Sequence, residues 1–408
     1  MAERLDTVVI GGGQAGLAAS HELTRLGIEH VVLERGRIGN SWAGRWDSFT
    51  LVSPAWWTNL PGRPRDEGAA GDRFLPRDEI VAMFEDYARG FGAPVREGVD
   101  VRRLRPADDG FVIETSEGSL AARSAVVATG SFRRQHRPPG SEHLPPGLPQ
   151  FDADDYRSPE GLPDGKVLIL GGAQTACQIA EDLVAAGREV FVATGRAFSG
   201  PRRIGDHDLF WWIVETGFAE QPVEALDSPM ARLFSNPIAT GRGGGHDLSL
   251  FTLRDAGVEI LGRFLGADGS AAAFADDVPA SLAAGEEFLT KFRGMIERTA
   301  NEKGIPQPDL PPPAAWTTPT RTSLDLAGFG AVVRASGFRP DYGSWIEIPG
   351  AFDEQGFPMQ RDGASVAAEG LYFVGTHFLR KRKSSLLWGV GEDAALVAGA
   401  IAGRNPAG

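Results

Sequence analysis

The chain has 408 residues, 42% of them apolar, and a formal net charge of −13, enough apolar material for a large core spread over roughly two or three domains. Such acidity excludes nucleic acid as a partner, because no basic face is available to neutralise a phosphate backbone; the run Arg380-Lys381-Arg382-Lys383 is short and flanked by apolar segments. One cysteine, Cys177, excludes a disulfide framework and any Cys-x-x-Cys redox pair, and no apolar stretch approaches the ~18 residues of a membrane span. The first strand begins about five residues after Met1, which leaves no room for a signal peptide and makes a cytoplasmic protein the expectation.

Residues 6–34 read as one strand–helix–strand unit. The apolar run Val8-Val9-Ile10 leads into Gly11-Gly12-Gly13, and a helix over 14–26 carries Leu17, Ala18 and Leu23. Gly27 stops that helix, and a second strand over 29–33 ends at Glu34. Strand, glycines, helix and terminal acid in this order form a dinucleotide-binding fingerprint. Gly11 allows the tight turn, Gly13 lets backbone approach a pyrophosphate, and Gly16 lets the helix pack close to the sheet. The pyrophosphate would rest on the free N–H groups around Gln14, Ala15 and Gly16, at the positive end of the helix. Glu34 would accept the adenosine ribose hydroxyls.

Alternating segments at 99–104, 111–115 and 120–127, separated by Asp108-Asp109-Gly110 and Glu117-Gly118, predict an antiparallel excursion. A Pro-rich crossing follows at 137–149. Residues 166–194 then repeat the first unit, with a strand to Leu170, a helix over 174–186, a stop at Gly187 and a strand over 189–193. Beyond it lies a long insert, 196–257, holding Trp211-Trp212 and the glycine loop 241–245. Residues 258–264 and 272–274 predict a shorter counterpart of the antiparallel excursion. A polar helix over 279–301, a proline connector at 306–313, a strand at 371–374 and a helix over 392–401 complete the chain; the connector suits neither helix nor central strand. A second internal echo pairs AVVATGSFR (125–133) with AVVRASGFR (331–339). Paired halves of this kind predict an α/β fold of two nested Rossmann-like domains with antiparallel β excursions, usually binding a flavin and a nicotinamide. The expected division is a flavin domain at 1–155 plus 317–408, interrupted by a nicotinamide-type domain at 156–316.

After Glu34 the chain runs GNSWAGRWDSFTLVSP over 39–54. This segment and the first fingerprint resemble the class B flavoprotein monooxygenases, especially the bacterial CzcO-like branch related to plant YUCCA enzymes. Further stretches similar to that family are Ala128-Thr129-Gly130, Gly337-Phe338-Arg339, 371–375 and Gly389-Val390-Gly391-Glu392-Asp393. The resemblance implies FAD as cofactor. In addition to the fingerprint residues it implies Arg35, Ser41, Trp42, Arg45, Trp46, Val101, Thr129, Gly130, Gly375 and Gly391 as FAD-side positions. It also implies NADPH as electron donor, and transfer of one oxygen from a flavin C4a-(hydro)peroxide to a small organic substrate, with O₂ as co-substrate.

The second fingerprint departs from the first. Gly171 is kept and Ala176 is tolerable, but Ala173 puts a methyl group where a pyrophosphate must come close. Thr194 stands where the ribose acid should be. Gly171, Gln174 and Thr175 are the candidate nicotinamide-side positions of the turn. Arg196, Arg202 and Arg203 are candidates for the 2′-phosphate of NADPH, a solvated surface being the alternative. The family's crossing-segment histidine also has no counterpart, since either alignment puts Phe151 or Asp152 in its place. His377, after the strand at 371–374, is a candidate pocket histidine, and Trp56-Trp57 a candidate pocket wall or core. His207-Asp208 and His246-Asp247 lack metal-ligand spacing, and no metal is expected.

Three readings follow. The first is an NADPH-dependent monooxygenase. The second is an FAD oxidase or dehydrogenase, or a flavoprotein reduced by a reductase partner. The third is a protein whose flavin is structural or regulatory. Assembly into a homo-oligomer is open.

Overall fold

The computed structural model describes residues 3–195, 197, 200–233, 237–310 and 315–404. Two parallel sheets organise it. The first runs, in spatial order, Leu371–Phe373, Gly118–Val127, Glu3–Ile10, His30–Glu34 and Val95–Glu97. Registers such as Val8 opposite Val31 on one side and Ala125 on the other are parallel throughout this set. The second runs Gln150–Asp152, Phe329–Arg334, Lys166–Leu170, Val190–Ala193 and Glu259–Leu261, again all parallel. Strand for strand, the two sheets follow one plan.

Each strand pair is bridged by a helix, Gln14–Arg25 in the first unit and Gln174–Ala185 in the second. Because successive strand side chains alternate between faces, Val9 and Val32 join Leu17, Ala18 and Leu23 in the core beneath the helix, while Val8 and Ile10 face the opposite layer with Phe111, Ile113 and Phe373. The expected antiparallel excursion appears as Val101–Ala107 and Gly110–Thr115 hairpinned onto Gly118–Val127. In the second unit Phe264–Asp268, Ala271–Phe274 and Ser323–Asp325 form a separate three-stranded antiparallel sheet. No described helix is long and apolar enough to cross a membrane.

Three placements differ from the sequence reading. Residues 329–334, expected with the flavin unit, pair with Lys166–Leu170 in the second sheet. The echo explains why: Phe329–Arg334 does for the second fingerprint strand what Gly118–Val127 does for the first. Residues 259–261, expected to open an antiparallel excursion, are instead the fifth parallel strand, beside Val190–Ala193. The helix Arg77–Phe91 was not foreseen, although Ile80, Met83, Phe84, Tyr87 and Ala88 recur at helical spacing and are buried, with Gly92 in left-handed conformation at its end.

The two echoed turns also meet. Just beyond them, Arg134–Gln135 and Phe338–Arg339 pair antiparallel, with Arg339 opposite Arg134, and His136 N–H donates to the Gly337 carbonyl. A short ribbon thereby ties the mouth of one unit to the mouth of the other.

Candidate functional site

The first fingerprint folds into a cradle in which Gly11 and Gly16 each answer a specific crowding. Gly11 has φ +109, and a Cβ there would lie 2.8 Å from the Ala128 carbonyl oxygen. A Cβ on Gly16 would lie only 1.8 Å from the Gly11 carbonyl oxygen, so helix and turn are packed backbone to backbone. At Gly13 a Cβ would meet no protein atom within 4 Å; that direction opens onto the helix mouth. Gly13 precedes the helix with φ −84 and ψ −169 and no side-chain cap. The first-turn N–H groups of Gln14, Ala15 and Gly16 therefore have no hydrogen-bond partner in the protein.

Glu34 is 8% exposed and accepts from Gly12 N–H at 2.6 Å and Gly36 N–H at 2.8 Å. These bonds fix the carboxylate at the rim. Across the turn, the Thr129 hydroxyl oxygen is buried without a partner, beside Gly130 at φ +74. The tail closes one side of the cradle. A Cβ on Gly375 would lie 2.4 Å from the Ala15 Cβ, and one on Gly391 3.0 Å from Pro61. The Gln14 amide donates to the Ser385 carbonyl at 2.5 Å, so its side chain is a strut and only its backbone N–H is left for a ligand. An unpaired helix terminus, an oriented rim acid and an orphaned hydroxyl around an open cleft fit a bound FAD.

The other flavin-side positions spread along the cleft. Ser41 is exposed on the short helix Asn40–Ala43. Trp42 packs on Phe49 and Phe84, and Trp46 is buried between Phe49 and Tyr156. Arg45 is set deep; burial pushes its guanidinium below the usual range, with Asp154 the opposing charge. Val101 is half-buried at the start of its strand, and Arg35 is exposed with no ion pair or side-chain hydrogen bond. Arg133, Arg134, Gln135, Asp152, Asp154 and Asp341 are among the residues lining a cleft of about 490 Å³ at the ribbon. Sequence reasoning missed Arg133, although the echo that ends in Phe132-Arg133 carried the signal.

The second cradle keeps the backbone and differs in the residues at its mouth. Ala173 has φ −96 and ψ −168, nearly the values of Gly13, so its methyl projects along the direction that is open in the first unit. Gly171 keeps a left-handed φ of +131 against the Ala335 carbonyl. Thr194 is fully buried and donates to the Gly195 carbonyl, so no acid faces a ribose. The Gln174 side chain is again a strut, exchanging two hydrogen bonds with the Ala239 backbone, while Thr175 is half-buried beside it.

The arginine candidates do not assemble into a phosphate site. Arg202 is 3% exposed, paired with Asp208 at 2.7 Å, donating to the Val52 carbonyl, and stacked on Phe74 and Phe210. It is a buried crossbrace, and its candidacy for a 2′-phosphate is corrected on that ground. Arg203 is exposed and bonds the Asp206 carbonyl; Arg196 lies outside the described residues. Cys177 is buried in the second helix, where burial pushes its thiol up to about 12, which keeps it protonated and inert.

His377 is 5% exposed, its N–H donating to the Ser131 hydroxyl and its Nδ1 3.2 Å from the Ser385 hydroxyl. It stands near the 54%-exposed Phe132 and precedes Phe378, a non-glycine at φ +50. Trp57 is core, in contact with Phe210 and Trp388, while half-buried Trp56 closes the same aromatic group. His207 stacks on Trp211 and His246 pairs with Glu181.

The basic run turns out to be a clasp. Lys381 and Lys383 both pair with Glu220 and Glu392, and Arg380 with Asp362 and Asp393. Arg382 stacks on Phe218 and Phe378, and burial pushes it down to about 10. Backbone bonds from Val223 to Arg380 and from Arg382 to Gln221 complete the junction between insert and tail.

With this geometry described, comparison with known proteins is informative. Residues 8–206 match the family model of the pyridine nucleotide-disulphide oxidoreductases. The CzcO-like oxidoreductase of Geobacillus kaustophilus is 29% identical over 396 residues, covering 96% of each chain. Over nearly its whole length the chain is thus similar to the CzcO-like oxidoreductases. Indole-3-pyruvate monooxygenase YUCCA4 of Oryza sativa is 27% identical over 195 residues, covering 43% of this chain and 44% of that one. A flavin-containing monooxygenase from Stenotrophomonas maltophilia shares the fold at a TM-score of 0.67 and 21% identity, covering 98% of this chain and 99% of that one. The protein is thus an oxidoreductase of the two-cradle flavoprotein type, and FAD is the cofactor that its first cradle fits.

Proposed function

We propose that the protein is an FAD-dependent monooxygenase that adds one oxygen atom from O₂ to a small organic substrate, with NADPH as electron donor. The observation that carries this reading is the first cradle: free helix N–H groups, Glu34 and the orphaned Thr129 hydroxyl converge on one open mouth. The names of the relatives, flavin-containing and indole-3-pyruvate monooxygenases, supply the oxygen-transfer part. Bound FAD supplies the redox chemistry and the activation of O₂. The chain's own residues do the rest. Gln14, Ala15 and Gly16 hold the pyrophosphate on backbone N–H groups, Glu34 holds the ribose, and Gly375 brings the tail over the cradle. His377 is kept in place between Ser131 and Ser385, while Trp56, Trp57 and Trp388 keep water from that side.

A second reading is favoured by the second cradle. With Ala173 in place of glycine, Thr194 in place of an acid and Arg202 locked to Asp208, electrons come from the substrate itself or from a reductase partner. Anaerobic titration of the yellow protein separates the two. Bleaching of the flavin by NADPH, followed in air by NADPH consumption that rises with substrate, supports the first reading. A flavin that NADPH leaves oxidised while a substrate or a reductase bleaches it supports the second.

A further inference from the structure

Arg133 follows the Ala128-Thr129-Gly130 turn that clamps Gly11, and its side chain lines the cleft at the ribbon. Among the described residues it forms no ion pair and no side-chain hydrogen bond, unlike most of the other arginines. Its charged surroundings are Glu34, Asp100, Asp341 and the like charge of Arg35, and Arg35 is equally without an ion pair. Burial and Arg35 both push the Arg133 guanidinium below its usual range. Both guanidiniums are exposed by surface area, and two like charges side by side, neither in an ion pair among the described residues, repel each other. Glu34 is an opposite charge nearby but makes no ion pair with either, its two oxygens accepting backbone N–H groups of Gly12 and Gly36. A planar guanidinium is well matched to an aromatic face and to the acceptors around it.

The position of Arg133 selects which part of a dinucleotide it meets. The helix terminus at Gln14–Arg25 already serves the pyrophosphate. Glu34 marks the ribose, and Asp100 immediately precedes Val101, one of the FAD-side positions that the family resemblance implies. We propose that Arg133, together with Arg35, grips the adenosine half of the bound FAD and is a binding residue for the cofactor. The proposal rests on the assignment of the first cradle to FAD.

Deflavinated wild type, Arg133→Ala and Arg133→Gln would be titrated with FAD by flavin fluorescence, with ADP as competitor. Both variants are expected to bind FAD about ten- to thirtyfold more weakly. The inhibition constant of ADP should rise by a similar factor, and the melting temperature of the apoprotein should stay unchanged. The glutamine variant keeps the side-chain stem, so it stands in should the alanine variant be unstable. FAD affinity within twofold of wild type in the folded variant would overturn the proposal. So would a loss of FAD affinity with that of ADP unchanged, or a wild type whose FAD is not displaced by ADP. A wild-type apoprotein that takes up no FAD would overturn the cofactor assignment instead, a separate outcome.

Discussion

The two cradles share a backbone and differ in what it is used for. Gly13 and Ala173 adopt almost the same φ and ψ, and Gln14 and Gln174 are both struts to a crossing segment. The first unit brings its helix within backbone contact of the turn at Gly16, leaves the mouth open at Gly13, and fixes an acid at Glu34. The second has Ala176, Ala173 and Thr194 at those places, and spends the buried Arg202 on joining the insert to the body of the protein. A dinucleotide fold thus survives on strand and helix packing alone. Two of the substitutions, Ala173 and Thr194, concern the approach of a ligand, and the third, Ala176, the closeness of helix and turn.

Four variants would sharpen or break this contrast. Gly16→Ala should have the largest effect, because the Gly11 carbonyl 1.8 Å from the new Cβ is backbone and cannot rotate away. Moving the helix dissolves the cradle, and FAD affinity should fall by about a thousandfold, ~4 kcal/mol. Loss of colour with a lowered melting temperature is the check; a yellow, stable variant would mean the helix already stands further off. Gly13→Ala comes next. It copies the methyl of Ala173 into open space, so the fold should persist while one or two charge-assisted hydrogen bonds to the pyrophosphate are lost. At ~1.5–3 kcal/mol each, FAD binding should weaken tenfold or more. Full flavin occupancy in that variant would remove the physical reason for calling the second cradle impaired.

The reverse change, Ala173→Gly, should lower the NADPH concentration needed for half-maximal flavin bleaching by about tenfold, ~1.4 kcal/mol. A protein equally blind to NADPH before and after would favour the second reading. The smallest effect concerns His30, buried in the first unit against the Ser20 hydroxyl at 2.8 Å. Ala180 and Val190 occupy the corresponding places in the second. Burial lowers the His30 pKa from its ordinary 6.5, the Ile28 carbonyl opposing. The folded state therefore resists protonation more than the unfolded one. Its stabilisation is complete above the unfolded value and lost as pH falls through the lower folded value. Ser20→Ala with His30→Val should flatten the decline of melting temperature between about pH 7 and 5; an unchanged slope would place that titration elsewhere.

Much of this was legible from residue order. Both strand–glycine–helix units, the flavin-side acid and the antiparallel excursion follow from periodicity and turn residues acting over a few positions. Local patterns do not say which sheet a returning strand joins. The echo at 331–339 showed that Phe329–Arg334 repeats Gly118–Val127, yet proximity along the chain suggested the wrong sheet. Nor does sequence reveal whether an arginine is free. Arg202 and Arg133 look alike in one dimension; a buried aspartate and two aromatic rings claim the first, and nothing claims the second. The helix Arg77–Phe91 was readable from its spacing and passed over because it carries no motif.

The clasp at 380–383 has a practical consequence. Four consecutive basic residues are the most inviting trypsin target in the chain, yet each is engaged by the insert, the tail or both, and Lys383 is 4% exposed. Folding hides this peptide from the enzyme. A tryptic cut there would record the moments at which insert and tail let go of each other, so the rate of that single cleavage is a clock for the opening of this junction.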